Sequence, residues 1–508
     1  MFGFMSKLFR FGNSESGALA PILAVAAIPV IMAAGIAVDY GNAISMQARL
    51  QAAVDAAALA AGRESNMSDS ELERIANDYF NSNFGTPANA GTPQMQLVIN
   101  DNNLVVNGTV TVSNYLTKIA GFETTKVAAT SQVTKEATGL EVVLVFDNTG
   151  SMGQQSRLST LKVAANDFVE ILFGPRDVAD TLKVAVVPFS QFVNVGPDKS
   201  DKFWLDTTGA NPLSKDNFKN SNWHNWRGWT KIQNRSWPGC VESRAGDRSV
   251  SDDLPVAGNG DTLFPPAFAP DEPGDNSSTT YFTEGNQDYR YKNSYLSDSR
   301  TNTLTNRQRH QRKYNNANVS TTSRGPDKGC NIQPIQALTN VKAPVLATIN
   351  NMKADGYTHV AEGVGWGLRV ISPGEPFTEG VDYSDEDITK AMVLLTDGEN
   401  TFDTGNYNHN GSTYTAYGFL NQARLGSSDY WTAIGKQNDL LAKACNNVQA
   451  AGVVTYSFAY NVPSATQRNL IKNCASDPEK CFDPPSNAAL VENFQQIADE
   501  LRKLHLSQ

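Results

Sequence analysis

Asp147, Thr149 and Ser151 stand at alternate positions in the stretch Asp147-Asn148-Thr149-Gly150-Ser151. One carboxylate and two hydroxyls at that spacing, with Gly150 permitting a tight turn, can converge their oxygens on a single hard cation. The simpler alternative is that they turn the chain and cap the helix that follows. Two later stretches favour the cation. Asp397 opens Asp397-Gly398-Glu399-Asn400 directly after the apolar run from Lys390 to Thr396, and Thr358 lies earlier, in Gly356-Tyr357-Thr358-His359. The chain has no CxxC spacing and its five histidines are dispersed, so a zinc site is not indicated.

These residues need rigid elements to hold them. Leu140, Val142, Val143, Leu144, Val145 and Phe146 form a nearly continuous apolar run rich in β-branched residues, which suits a strand covered on both faces. Lys390 to Thr396 reads the same way, as do Leu182 to Phe189 and Val453 to Ala459. Between them the spacing predicts helices: one with a face of Leu158, Leu161, Ala165, Phe168 and Leu172, two more over Val345 to Met352 and Val364 to Ile371, and a closing one with Leu490, Phe494, Ile497, Leu501 and Leu504. Strands alternating with helices predict an α/β sheet with its site at the C-terminal ends of the strands.

Taken together, Asp147, Thr149, Ser151, Thr358 and Asp397 resemble the metal-ion-dependent adhesion site of the von Willebrand factor A family, in which a DxSxS motif, a distant Thr and a distant Asp bind one divalent cation above a doubly wound, Rossmann-like sheet. Thr149 stands where that pattern has its first Ser, which keeps the hydroxyl and adds a methyl. The resemblance implies a divalent cation at these five residues, Mg2+ first with Ca2+ and Mn2+ as alternatives, and a coordination position open to a partner's Asp or Glu. It implies a binding protein and not an enzyme. The competing reading is a metal-assisted hydrolase, with the same ion activating water and His359 or Glu399 as general base.

Upstream, Lys7 and Arg10 precede an uncharged apolar segment from about Ala18 to Val38, closed by Asp39. About 21 helical residues span about 30 Å, enough for a bilayer core. The basic flank places the N-terminus in the cytoplasm and everything after Asp39 outside, with a cleaved signal peptide as the alternative. An alanine-rich helix carrying Ile44, Met46, Leu50, Val54 and Leu59 continues to about Gly62. The order of anchor, Asp39-Tyr40 and Leu50-Gln51-Ala52-Ala53-Val54-Asp55-Ala56-Ala57-Ala58 resembles the N-terminal segment of TadE/TadG-like Flp pilus-assembly proteins. Parts of the later chain, Ile335 to Thr339, Gly356 to Gly367 and Asn473 to Ser476, are similar to the A-domain half of TadG-like proteins. This implies a single-pass protein of a bacterial inner membrane, bulk periplasmic, with Tad/Flp pilus components or acidic surface ligands as partners and the outer membrane or cell surface within its reach. No glutamate follows Gly17 at pilin spacing, so the anchor is expected to be retained.

The expected organisation is therefore a cytoplasmic N-terminus (1–16), a transmembrane helix (17–39), a membrane-proximal helical and β module (40–137) and an A domain (138–508) with an insertion at about 196–334. In the module, Ser68 or Ser70 caps a helix with Leu72, Ile75, Tyr79 and Phe80 on one face. Strands follow at Gln94 to Asn100, Leu104 to Val112 and Thr125 to Val133, the first two joined by a turn at Asp101-Asn102-Asn103. The insertion is rich in Gly, Pro, Asn, Ser and Asp and holds Trp204, Trp223, Trp226, Trp229 and Trp237, which either fill a small core of its own or form a contact surface. Its basic run, Arg300, Arg307, Arg309, Arg312 and Lys313, is expected to be a solvated face. Cys240 and Cys330 bracket much of it and can close a long loop, Cys445 and Cys474 can pair, and Cys481 is left over. With 42 basic against 52 acidic residues the 508-residue chain carries a formal net charge of −10, which argues against a nucleic-acid partner.

Overall fold

In a computed structural model the described residues are 19–64, 67–100, 103–134, 139–273, 281–284, 287–290, 293–297, 303–321, 323–404 and 410–504. Lys7, Arg10, Gly17, Ala18, Asp101, Asn102 and Arg300 lie outside them. The chain divides into two compact units, Met1–Ala137 and Thr138–Gln508.

In the first unit, helix α1 (Leu19–Gly62) runs without a break through Pro29. Helix α2 (Asp69–Phe84) follows, with Ser68 as its N-cap accepting from the Glu71 amide. Three strands, β1 (Gln94–Asn100), β2 (Asn103–Ser113) and β3 (Thr124–Thr134), form an antiparallel sheet in that order. The core is built mostly from small residues: Leu50, Ala53, Val54, Ala57, Ala58 and Ala61 of α1 are buried against Leu104, Val106, Val110 and Val112. A methyl group added at Gly108 would lie 2.6 Å from Val54 Cγ1 and one at Gly62 2.7 Å from Val133 Cγ1, so helix and sheet meet too closely for larger side chains. This is why Ile44 and Leu59 face outward. In α2 the buried stripe is Leu72, Ala76, Phe80 and Phe84. Tyr79 is exposed, because the i, i+4 row through Leu72 excludes it.

The second unit is a mixed sheet with helices on both faces. Its elements, in chain order, are β4 (Gly139–Asp147), α3 (Arg157–Phe173), β5 (Leu182–Phe189), β6 (Val193–Asn194), α4 (Asn225–Lys231), β7 (Cys240–Val241), a β8 (Tyr281–Glu284) and β9 (Gln287–Arg290) hairpin, α5 (Leu304–Arg309), β10 (Gln336–Thr339), α6 (Lys342–Asn351), α7 (Val360–Ile371), β11 (Ile388–Thr396), α8 (Tyr430–Ala450), β12 (Val454–Ala459), α9 (Ala465–Lys472), β13 (Cys481–Phe482) and α10 (Asn487–Leu504). The sheet order is β13-β12-β11-β4-β5-β6-β7, with β10 antiparallel to β5. β13, β12, β11, β4 and β5 are mutually parallel.

The apolar run of β4 divides by alternation. Val143 and Val145 face α7 and α8, whereas Leu140, Val142, Leu144 and Phe146 face α3, α6 and α10. Leu161, Ala165, Phe168 and Leu172 of α3 and Leu490, Phe494, Ile497 and Leu501 of α10 close the second face.

The insertion is part of the first face. Trp204, Trp223, Trp229 and Trp237 are buried in one continuous core with Val143, Val187 and Trp366, and Trp226 packs at its margin. Its β7 extends the main sheet through β6. Of its basic run, among the described residues, Arg312 is exposed as the composition suggests, but Arg307 and Lys313 are not part of a solvated face. Arg307 is buried, and Lys313 Nζ lies 2.7 Å from Asp271 Oδ2 with both side chains enclosed. An aromatic core that needs an irregular chain to cover it draws these side chains inward, where an acid inside the domain answers the lysine. Disulfides join Cys240 to Cys330, with Cα atoms 5.9 Å apart, and Cys445 to Cys474, 4.8 Å apart; Cys481 is free.

Candidate functional site

β4 turns to β5 on one side, and β11 pairs its other edge. The winding of the sheet thus reverses between β4 and β11, the place where open α/β sheets leave a crevice beyond their strand ends. Phe146 pairs with Leu395, so the next residues, Asp147 and Thr396, meet at that crevice. Thr396 Oγ1 donates to Asp147 Oδ2 at 2.7 Å, and the Thr149 amide donates to Asp147 Oδ1 at 2.8 Å. Asp397, one residue on, accepts from Ser151 Oγ at 2.6 Å on Oδ1 and from Arg157 Nη1 at 2.7 Å on Oδ2. The Thr149 and Ser151 hydroxyls are 2.9 Å apart.

Thr358 reaches the same cluster from the loop before α7. The Thr401 amide donates to the Thr358 carbonyl at 3.0 Å, and the Val360 amide donates to Asn400 Oδ1 at 2.9 Å, so the loop after β11 holds the Thr358 loop. Gly356 takes φ +84°, and a methyl there would sit 2.9 Å from Gln191 Oε1. That turn brings the Gly356 carbonyl within 3.0 Å of the Gly150 amide. A methyl added at Gly398 would lie 3.1 Å from Thr358 Oγ1 and 3.8 Å from Ser151 Oγ. The missing side chain at Gly398 therefore leaves space between hydroxyls that come from two different loops.

Asp147, Thr149, Thr358 and Asp397 are buried and Ser151 is half-buried. Burial, and then the facing Asp397, raise the Asp147 carboxyl above the usual carboxylate range. Two carboxylates share this crevice against one guanidinium, so the cluster carries an unanswered negative charge. Its donor set of carboxylate and hydroxyl oxygens suits a hard divalent cation. Among the described residues no group of three His, Cys, Asp or Glu is arranged to hold a metal, so the hydroxyls would have to serve as ligands.

Arg157 and Thr396 were not singled out by the motif. Arg157 is the first residue of α3, where a helix dipole disfavours a cation. That misplacement was the available sign that a carboxylate holds it. Gln155 and Ser156 just before it have φ of +50° and +58°, left-handed values that cost non-glycine residues about 1 kcal/mol or more each. Asn148 is fully buried with neither amide atom paired.

The two residues proposed as general bases stand in opposite surroundings. Glu399 is exposed. His359 is fully buried, its ring stacked at 5.3 Å on Tyr417 and edge-on to Phe402, and burial lowers it to about 3.

Residues 17–64 match the family model described as Flp pilus-assembly TadE/G-like. The N-terminal segment is TadE/TadG-like. Among the described residues this segment also provides the one helix long and apolar enough to cross a membrane, which fits a single-pass anchor. No curated protein matches the chain in sequence. Among solved structures, the chain is similar to several proteins, two of them described as von Willebrand factor domains. The vWF domain of the type V pili tip protein Mfa5 from Porphyromonas gingivalis is 9% identical, covering 73% of this chain and 97% of that one, with a TM-score of 0.34. The pilus adhesin SpaC from Lactobacillus rhamnosus GG is 11% identical over 82% of this chain and 35% of its own, at 0.32. Proximal thread matrix protein 1 from the mussel byssus, solved with a zinc-occupied MIDAS motif, is 12% identical over 74% and 47%, at 0.28. The mixed sheet with its parallel centre, its reversal between β4 and β11, and the helices on both faces make the second unit a doubly wound α/β domain.

Proposed function

We propose that this protein is a membrane-anchored, non-enzymatic component of Tad/Flp pilus assembly or adhesion, whose A domain faces the periplasm and binds an acidic group on a partner through a divalent cation, Mg2+ before Ca2+ or Mn2+. The observation that carries the reading is the meeting of Asp147 and Asp397 at adjacent strand ends, with the Ser151 hydroxyl 2.6 Å from Asp397. Asp147, Thr149, Ser151, Thr358 and Asp397 would hold the ion. When bound, the ion would supply a positive centre for a partner's carboxylate.

The chain's own residues set the terms for it. Thr396 holds one oxygen of Asp147 and the Thr149 amide the other, which fixes the carboxylate plane without neutralising it. Arg157 offsets part of the charge of Asp397 from the helix side. The matched TadE/G-like segment at 17–64 supports the pilus context and the anchor. The test is calorimetric titration of the detergent-solubilised full chain with Mg2+, Mn2+ and Ca2+, together with capture of pilus components with and without chelator. Titrations with all three ions that give no heat, alongside chelator-insensitive capture, would rule the reading out.

A further inference from the structure

The tip of the β2–β3 hairpin is tied to α1 at the end of its apolar stretch. Asp39, the first charge along the described part of that helix, accepts at Oδ1 from the Tyr115 amide at 2.8 Å. At Oδ2 it accepts from the amides of Leu116 at 3.0 Å and Thr117 at 2.6 Å, and from Thr117 Oγ1 at 2.7 Å. One turn earlier, a methyl added at Gly35 would sit 3.0 Å from Leu116 Cβ, so the tip lies flat on the helix. The tip is also ordered from within, because Asn114 Nδ2 donates to the Phe122 carbonyl at 3.0 Å and Asn114 Oδ1 accepts from Thr125 Oγ1 at 2.9 Å.

This well-fastened loop turns its apolar side chains outward. Ile119 is 87% exposed and Phe122 68%, and Tyr115 and Leu116 are exposed beside them. Large apolar side chains on a rigid, hydrogen-bonded loop need a cover. The helix they are fastened to is itself exposed and apolar along this stretch, at Val30, Ile31, Ile36 and Val38. Gly35 and Asp39 are four residues apart, about 6 Å along the helix axis. The tip therefore occupies the last turn of the apolar stretch, at the level where a spanning helix passes from hydrocarbon to headgroups. Aromatic rings and lysines collect at that level, and Tyr115, Phe122 and Lys118 supply both.

The geometry points to a second membrane contact: the 115–122 tip dips into the interfacial layer of the bilayer that α1 crosses, and Asp39 is the staple that sets its depth. This rests on the reading of α1 as a membrane anchor. Its occupant is the lipid surface itself, because the tip is fastened at Gly35 and Asp39, on the last turn of the apolar stretch.

The test uses the full chain in phosphatidylcholine/phosphatidylglycerol vesicles, with a nitroxide placed in turn at Val30→Cys, Ile119→Cys, Phe122→Cys and Glu123→Cys in a Cys481→Ser background. Collision with oxygen against collision with a water-soluble nickel chelate reports depth. Positions 119 and 122 are expected to be oxygen-dominated, as is position 30, and position 123 nickel-dominated. Asp39→Ala is expected to shift 119 and 122 towards nickel while 30 stays unchanged. If 30 is oxygen-dominated but 119 and 122 are nickel-dominated, the tip lies in water and the inference is wrong while the anchor stands. Low collision with both reagents at 119 and 122 would mean a protein contact, such as a second copy, and would equally overturn it. If 30 itself is nickel-dominated, the anchor reading and this inference fall together.

Discussion

Asp39 and Asp147 each close an apolar run, and each is buried, but they are handled in opposite ways. Asp39 receives three amides and one hydroxyl, all from the short stretch Tyr115–Thr117. Its charge is spread over neutral donors, so it has become a fastening. Asp147 receives one amide and two hydroxyls, from Thr149 and Thr396, and faces a second carboxylate across the crevice. There the sheet's strand ends bring like charges together and leave part of the charge unmet. A buried carboxylate surrounded by donors is structure; a pair short of donors is a place for a cation.

The largest expected effect separates the two directly. Asp147→Ala should weaken divalent-ion binding at least about 100-fold, given that even outer-shell changes cost metal sites 10–100-fold, while Asp39→Ala should leave ion binding unchanged and loosen only the first unit. Titration of both variants decides this, and equal ion affinities would erase the distinction.

His359 and Asp147 pull the pH dependence of the second unit in opposite directions, the raised carboxyl favouring the folded state as pH falls and the lowered imidazole opposing it. His359 is held neutral by burial, with its folded value near 3 against an ordinary value of 6.5. Below pH 6.5 the unfolded chain binds a proton that the folded chain refuses, so stability is full above that pH and falls as pH drops. Between pH 6.5 and 5 the loss is about 2 kcal/mol from this group. Thermal melts of His359→Gln should show a shallower fall over that range than wild type; parallel curves would mean that the ring takes up a proton in place.

A smaller effect belongs to Thr358→Ala, which should lower ion affinity about tenfold, or about 1.4 kcal/mol. In cells it should reduce pilus assembly or adhesion without removing the protein from the membrane. Normal pilus numbers and adhesion in that strain would leave the A domain as a spacer.

The smallest change is expected at Arg157. Its guanidinium offsets Asp397 and repels an incoming cation, so Arg157→Gln should raise ion affinity by a factor of about five, about 1 kcal/mol. Weaker ion binding in this variant would instead make Arg157 a support for the site. The insertion offers no comparable probe of partner choice: removing 196–334 would strip five tryptophans, four of them buried, and strand β7 from the domain, so the expected result is loss of folding.

Local pattern by itself determined much of this protein. The apolar runs at Leu140–Phe146 and Leu182–Phe189, the helical stripe through Leu161 and Phe168, and the uncharged stretch ended by Asp39 follow from side-chain periodicity, which depends only on neighbours in the chain. The spacing of Asp147, Thr149 and Ser151 was legible for the same reason. What the tertiary structure alone decided were the meetings between distant segments. Strand register placed Thr396 on Asp147, two left-handed residues turned Arg157 onto Asp397, and close helix–sheet packing made a core of the alanines of α1. Lys313 reads as part of a solvated face because composition records polarity but not cover. Whether a lysine is solvated or buried depends on finding an acid such as Asp271 within reach, and that distance exists only in the folded chain.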